Sequence, residues 1–233
     1  MYEAIGLLEL ESIACGIDVA DAMVKVAPIQ FIDTFMVTPG KYVVLVHGDV
    51  AAIEASVERG REVAAGTLVD WLLIPFIHPQ VFPAIYDPPA HQAIAALGLI
   101  ETHSVATGVA AADDAAKAAE VQLLRLHLGR GIGGKSMLTL TGELPDVQAA
   151  VEAGSRKAQG AGRLVAARVI PQPHPDLAAR LLSPVGSGPG PGPGRPAPGA
   201  GAGAGENMPE SERRPGAASE FDAGRSPDAR GEA

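Results

Sequence analysis

The chain has 233 residues, of which 47% are hydrophobic and only 4% are aromatic, and its net charge is −9. This length suits one large domain or two domains of about 90 to 100 residues each. The acidic excess comes without a stripe of clustered Lys and Arg, so we expect no nucleic acid as a partner. The single cysteine, Cys15, excludes an internal disulfide framework and a zinc site built from several cysteines, and it favours a reducing cytoplasm.

The N-terminal residues lack the basic start and the apolar run of a signal peptide. No later segment approaches 18 uninterrupted apolar residues, the length at which a membrane-spanning helix is expected. We therefore expect a soluble protein that stays inside the cell and has no membrane partner.

The first half of the chain predicts a strand, a helix, two strands joined by a turn, a second helix and a fourth strand. Ser12 and Asp49 are suited to cap the two helices, because their side-chain oxygens accept hydrogen bonds from the first helical turn. Pro28 ends the first helix. We predict strands at 4–9, 30–37, 41–47 and 68–77, a turn at 38–40, helices from Ser12 to Pro28 and from Asp49 to Ala65, and a short closing helix at 78–85.

The second half repeats the first half in the same order. Residues 4–9 recur at 96–101, an offset of 92, and 10 of the 22 positions that start there are identical. Chance in an Ala-rich chain would give about two or three identities. The offset grows to 94 at Lys135 and to 96 at His174, as short loop insertions would produce. The predicted elements are strands at 95–101, 121–128, 135–141 and 164–171, and helices at 105–119, 146–160 and 175–182.

The order β-α-β-β-α-β plus a terminal helix, present twice, predicts an α+β protein with two tandem ferredoxin-like domains, each an antiparallel sheet with helices on one face. We assign the first domain to 1–86, a linker to 87–94 and the second domain to 95–182. Residues 183–233 are rich in Gly and Pro and then in mixed charges. Such a segment has few apolar groups to offset the entropy of ordering, so we predict a disordered tail.

An ordered set of motifs resembles the bacterial microcompartment shell domain family. The motifs are Ala-Ile-Gly-Leu-Leu-Glu from residue 4, Asp-Ala-Met-Val-Lys from 21, His-Gly-Asp-Val from 47 and Ile-Pro-Gln-Pro-His from 170. Two such domains in tandem resemble the trimeric members of the family, and the resemblance covers residues 4–182. It implies a homotrimer that closes into a pseudo-hexameric tile, with a structural, non-enzymatic role in a microcompartment shell within the cytoplasm.

The resemblance also implies a central pore. In this family the turn between the second and third strands of each domain points at the symmetry axis. The implied pore residues are Thr38, Pro39 and Gly40 of the first domain and Ile132, Gly133 and Gly134 of the second. Small residues allow three copies of a turn to approach one another. A pore of this composition would select metabolites by diameter and hydrogen bonding more than by charge.

Contacts at the tile edge and partner proteins follow from the same resemblance. Lys25 and Lys117 match the family's edge lysine, and His78 and His174 follow the fourth strands near that edge. A solvated lysine at a helix end is the simpler alternative, and no second ligand at a suitable spacing makes either histidine a metal site. The expected partners are hexameric and pentameric shell proteins. The tail has either no partner or binds encapsulated enzymes through residues 209–233.

One departure from the family concerns cofactors. A tandem shell protein of this family carries a cysteine in the first-domain turn, and three copies of that cysteine hold an iron–sulfur cluster. Thr38 stands at that position here, and a hydroxyl is a poor iron ligand compared with a thiolate. Cys15 maps to the first helix instead. We therefore expect no cluster and no other cofactor.

Two other functions remain open from the sequence. Ferredoxin-like domains often form trimers with ligands at the clefts between subunits, so a regulatory protein that binds a small molecule is one alternative. An electron-transfer shell protein is the other, and Thr38 disfavours it. Sheets or closed shells formed with a hexameric partner would support a tile, whereas isolated trimers with a tightly bound ligand would support a sensor.

Overall fold

The structure, a computed structural model, describes residues 4–89 and 94–182. Part of the predicted linker and the predicted tail at 183–233 lie outside the described residues. None of the helices within the described ranges combines the length and the apolar character that crossing a membrane requires.

Each half of the chain folds into one four-stranded antiparallel sheet with helices. The first domain contains β1 (Ala4–Leu10), α1 (Ile13–Val26), β2 (Gln30–Val37), β3 (Lys41–Gly48), α2 (Val50–Ala64), a 3₁₀ turn (Ala65–Thr67), β4 (Leu68–Pro75) and α3 (Val81–Tyr86). The second domain contains β5 (Ala96–Thr102), α4 (Val105–Ala118), β6 (Gln122–Leu128), β7 (Ser136–Gly142), α5 (Leu144–Gly160), β8 (Leu164–Pro171) and α6 (Pro175–Leu182). The strand orders, β2-β3-β1-β4 and β6-β7-β5-β8, confirm the ferredoxin-like prediction.

Local chemistry explains where the elements begin and end. Ser12 Oγ accepts a hydrogen bond from the Cys15 N–H at 3.3 Å, and Asp49 Oδ1 accepts one from the Ala52 N–H at 2.9 Å, which confirms both predicted caps. The prediction that the fourth strand reaches residue 77 was wrong. It stops at Pro75, because Phe76 takes the left-handed value φ = 57° and turns the chain away from the sheet.

The strand pairing defines which residues of the two domains are equivalent. Ala4 pairs with Gly48 and Pro75, and Ala96 pairs with Gly142 and Pro171. Equivalent residues are therefore 92 positions apart from β1 through β2, 94 apart in β3 and α2, and 96 apart in β4 and α3. The equivalent residues Ser12 and Ser104, for example, each cap the helix that follows.

The first sheet has a different neighbour on each face, because successive side chains of a strand point to opposite sides. On one face, Leu8 and Val44 belong to an apolar cluster with Met23 of α1. On the other face, Leu7 and Leu72 belong to a larger cluster that includes Val109, Ala112 and other residues of α4. The two domains therefore share a core, in which α4 covers the side of the first sheet that α1 and α2 leave open.

Candidate functional site

The two turns predicted to line a pore differ in length and backbone shape. The turn between β2 and β3 spans 38–40, and the Gly40 N–H donates to the Val37 carbonyl at 2.8 Å. The turn between β6 and β7 spans 129–135, and its four glycines have φ values between 67° and 75°. Residues with a side chain rarely adopt such angles, so glycine is what gives the longer turn its shape.

These two turns lie against each other within one chain. A Cβ atom placed on Gly134 would lie 2.9 Å from the Thr38 carbonyl oxygen and 3.2 Å from the Lys41 Nζ. A Cβ atom placed on Gly129 would lie 2.6 Å from the Val37 Cγ1. The lack of a side chain at both glycines therefore allows the close approach. The structure brings the predicted pore segments together, and their position at a symmetry axis stays a prediction.

The predicted pore residues offer hydrogen-bonding groups but no ionisable side chain. Thr38 contributes a hydroxyl, the Pro and Gly positions contribute backbone groups, and Ile132 is partly exposed. The neighbouring charge on Arg130 is compensated, because its guanidinium donates to Asp33 Oδ2 at 3.0 Å and stacks 4.3 Å above the centre of the Phe35 ring. A pore lined by these groups would select small polar molecules by hydrogen bonding more than by charge.

The second candidate site is the contact of α4 with β1 and β4, which we call the domain joint. Its most buried charged side chain is Glu9, which has no exposed surface. Glu9 Oε1 accepts a hydrogen bond from Lys41 Nζ at 2.7 Å, and Oε2 accepts one from the backbone N–H of Val105 at 2.8 Å. Val105 is the first residue of α4, where N–H groups have no partner within the helix. One carboxylate therefore neutralises a lysine and caps a helix of the other domain.

A second carboxylate, Asp70 on β4, also binds the start of α4. Asp70 Oδ2 accepts hydrogen bonds from the hydroxyls of Ser104 and Thr107, the latter at 2.7 Å. Arg163 of the second domain lies 3.6 Å from the same oxygen and donates to the Val69 carbonyl at 2.6 Å. Three side chains of the second domain thus converge on one carboxylate of the first.

The predicted edge residues His78 and Lys117 meet at the far end of the domain joint. The His78 backbone N–H donates to Asp113 Oδ1 at 2.7 Å, and Lys117 Nζ donates to Asp113 Oδ2 at 2.7 Å. Asp113 is nearly fully buried, so both bonds compensate a carboxylate that water hardly reaches. The edge roles of the two residues stay predictions.

The equivalent groups on the opposite sides of the two domains are open to solvent. Lys25 pairs with Asp21 on the exposed surface of α1, where Asp21 is the equivalent of Asp113. His174 accepts a hydrogen bond from the Asp176 N–H at its Nδ1 and is mostly exposed. Lys25 and His174 therefore occupy the same local settings as Lys117 and His78, but without the neighbouring domain.

A cavity of about 230 Å³ lies beside the turns, and its lining includes Asp33, Phe35, Arg125 and His127. Burial lowers the pKa of His127 below its usual 6.5, and the positive charges of Arg125 and Arg130 lower it further. The Nδ1 atom of this ring is buried without a hydrogen-bond partner within the described residues. His127 occupies the position that Phe35 holds in the first domain, so one of two equivalent aromatic positions is titratable.

The described residues contain no group of three or more His, Cys, Asp or Glu side chains that could hold a metal ion. Cys15 lies in the first turn of α1 with a half-buried side chain, and Thr38 occupies the shorter turn. A cluster shared by three chains would need a better ligand than a hydroxyl at the turn.

Sequence reasoning missed the polar residues of the domain joint. Asp70 and Arg163 lie in no recognised motif, and Glu9, the last residue of the motif that begins at residue 4, was given no role of its own. One signal was present: Glu9 and Lys41 both recur at equivalent positions, as Glu101 and Lys135. A charged residue repeated within two otherwise apolar strands indicates a structural pair.

Comparison with known proteins shows the same duplication. The BMC domain matches residues 4–77 and again 96–173. The chain is 42% identical over 174 residues to the bacterial microcompartment shell protein PduT of Citrobacter freundii, an alignment that covers 75% of this chain and 95% of that protein.

Solved structures agree. The crystal structure of a microcompartment protein from Desulfitobacterium hafniense DCB superposes with a TM-score of 0.68 at 46% identity, covering 77% of this chain and 99% of that one. The fused permuted hexameric shell protein MSM0275 from the RMM microcompartment, with a TM-score of 0.51 and 19% identity over 67% of this chain and 81% of that one, shares the fold. With two BMC domains in tandem, the chain belongs to the BMC domain family of bacterial microcompartment shell proteins.

Proposed function

We propose that three copies of this chain close into a pseudo-hexameric ring, a structural tile of a microcompartment shell with a central pore and no catalytic role. Each chain supplies two of the six domain positions. The contact between neighbouring chains repeats the domain joint, with the second domain of one copy against α1 of the next. We call this contact the chain joint.

The observation that carries the proposal is a set of exposed apolar side chains whose equivalents are buried. Ile17 on α1 is 56% exposed, whereas its equivalent Val109 on α4 is 1% exposed against the first domain. Leu177 on α6 is 43% exposed, whereas its equivalent Val81 on α3 is fully buried. Two further pairs follow the same rule: Phe31 with Leu123, and Met36 with Leu128.

Burying a large apolar side chain is favourable by about 1.5–3 kcal/mol, so these exposed positions favour association. The exposed set lies on both sides of the chain, with Ile17 on the first domain and Leu177 on the second. Such a head-to-tail contact produces a ring when its rotation closes. The fold is that of tandem shell proteins, and two domains per chain fill six positions with three chains.

The ring would place segments 38–40 and 132–134 around the axis as the pore. Their hydroxyl and backbone groups support passage of small polar metabolites. Lys25, Lys117, His78 and His174 would contact neighbouring tiles, which are hexameric and pentameric shell proteins. The predicted tail is a candidate for binding encapsulated enzymes.

Two α1 variants test the ring. Ile17→Glu places a charge in the chain joint, so we expect purified protein to shift from trimer to monomer in sedimentation velocity. Val26→Glu is the matched control: Val26 is equally apolar and exposed on the same helix, but its equivalent Ala118 is also exposed, which puts it outside the joint. If both variants remain trimers, or if both become monomers, the proposed contact is wrong.

Electron microscopy of the trimer mixed with a hexameric shell protein tests the tile. Extended sheets or closed shells support it. Isolated trimers that stay apart under conditions where the hexamer alone assembles would favour the regulatory alternative.

A further inference from the structure

We infer that the Glu101 carboxylate of one copy caps α1 of the next copy, accepting a hydrogen bond from the Ile13 backbone N–H while Lys135 balances its charge. This inference rests on the proposed ring and specifies the chemistry of the chain joint. It follows from the same bond inside each chain, which the structure describes in full.

The internal bond defines the geometry. Glu9 holds the Val105 N–H at 2.8 Å and Lys41 at 2.7 Å, with a fully buried side chain. Glu101 and Lys135 occupy the equivalent positions and form the same ion pair at 2.8 Å through Glu101 Oε1. The second domain therefore already contains the ion pair between the glutamate and the lysine.

The hydrogen bond from a helix N–H, which Glu9 accepts in the domain joint, has no counterpart at Glu101 within the described residues. Within the described residues, nothing binds Glu101 Oε2, the oxygen whose equivalent in Glu9 accepts the Val105 N–H. Ile13 is the first residue of α1, and Ser12 caps the N–H of Cys15 two residues further on. The first N–H groups of a helix have no partner within the helix and attract negative charge. An acceptor and a donor of matching geometry are thus left on opposite sides of the chain.

The chain joint should rely on its Glu101 hydrogen bond more strongly than the domain joint relies on the Glu9 bond. Asp70 and Arg163, which support Glu9 in the domain joint, have Ala166 and Thr67 as their equivalents. The carboxylate that binds two hydroxyls at the start of α4 is therefore missing at the start of α1. Glu101 is left as the carboxylate that reaches this helix terminus.

The test uses the full chain with Glu101→Gln, which keeps the shape and removes the charge. We expect the concentration at which trimers dissociate, measured by mass photometry over a dilution series, to rise at least tenfold. Glu152→Gln is the matched control, because Glu152 is an exposed glutamate of α5 that forms an ion pair with Arg156 on the same helix. Its dissociation should match that of the unchanged chain.

A second variant removes the donor. Ile13→Pro deletes the N–H at the first helical position, where proline is tolerated, and Ile13→Ala controls for the lost side chain. We expect Ile13→Pro to weaken the trimer beyond Ile13→Ala, and to add little to Glu101→Gln in the double variant. Hydrogen exchange should also show faster exchange at residues 12–16 in Glu101→Gln.

The outcomes separate the two proposals. If the unchanged chain is a trimer and both Glu101→Gln and Ile13→Pro dissociate like their controls, the inference is wrong and the ring stands. If the unchanged chain is a monomer at every concentration, the ring itself is wrong.

Discussion

The Glu9 carboxylate accepts a hydrogen bond at 2.8 Å from the backbone N–H of Val105, a residue 96 positions later in the chain. This contact fixes the first residue of α4 to the centre of the first sheet. Lys41, only 18% exposed, balances the buried charge. The two domains are therefore joined by a polar contact embedded in their shared apolar core, which fixes their mutual position more precisely than apolar packing alone.

Removing this carboxylate should destabilise the fold. Glu9→Ala leaves the Lys41 ammonium and the Val105 N–H without their partner, and breaking a buried pair in this way costs about 3–5 kcal/mol. Urea unfolding followed by circular dichroism measures the loss. Adding Lys41→Met should recover part of it, because the uncompensated charge is then gone. A Glu9→Ala variant within about 1 kcal/mol of the unchanged chain would show that the pair contributes little.

Position 134 should require glycine for two reasons: its backbone angle is left-handed, and the turn at 38–40 leaves no room for a side chain. Gly134→Ala introduces a Cβ at 2.9 Å from the Thr38 carbonyl oxygen, at φ = 75°. Gly162→Ala has a similar φ of 66° but no atom within 4 Å of the new Cβ. The control should lose about 1–2 kcal/mol of unfolding free energy, the cost of a left-handed angle, and Gly134→Ala should lose more. Equal losses in urea titrations would mean that the turns are free to separate.

The proposed chain joint should become stronger when it receives the missing carboxylate. Ala166→Asp places an acid where Asp70 stands in the domain joint, facing the equivalent of Ser104, which is Ser12. One added charge-assisted hydrogen bond should tighten each joint about tenfold, about 1.4 kcal/mol. Dilution experiments should then show trimers persisting at lower concentration. A variant that dissociates more readily would mean that Ser12 and Ala166 do not face each other between copies.

The free energy of unfolding should decrease as the pH falls, in part because of His127. The folded protein holds its pKa below 6.5, through burial first and then through Arg125 and Arg130. The unfolded chain therefore binds the proton first as the pH falls through 6.5, and stability decreases until the pH reaches the lower folded pKa. His127→Phe, which copies the equivalent Phe35, should make unfolding midpoints less sensitive to pH over this range. Parallel curves for the two proteins would exclude the effect.

Iron analysis tests the cofactor prediction. With Thr38 in the shorter turn and Cys15 on α1, we expect the anaerobically purified protein to contain no stoichiometric iron or acid-labile sulfide. A hydroxyl ligand is too weak to hold a cluster that thiolates hold in related settings. Stoichiometric iron would require another ligand set.

Most of the fold could be predicted because the duplication and the caps are local signals. Ser12 and Asp49 cap their helices as the sequence pattern predicts, and the turn at 38–40 lies where Pro and Gly interrupt the strands. The family and its shell role were also predicted from the ordered motifs, and the comparisons confirm them. Local signals of this kind depend on neighbouring residues alone, which a sequence displays directly.

The domain joint could not be predicted, because its partners are distant in sequence. Asp70 binds Ser104 and Thr107, more than thirty residues away, and no spacing rule connects them. The end of β4 was also missed, since the apolar residues Phe76 and Ile77 continue a strand pattern while the backbone turns at Phe76. The exposure of single side chains could not be predicted either. Ile17 and Val109 are similar residues at equivalent positions, but within the chain only Val109 is covered by the other domain.

Electron cryo-microscopy of the purified full chain would show whether the proposed ring forms. We expect a ring of three copies in which α1 of each copy packs against β8 of its neighbour, and in which Thr38 and Gly133 surround the axis. A stable single chain, or an assembly with both turns at its outer rim, would contradict it.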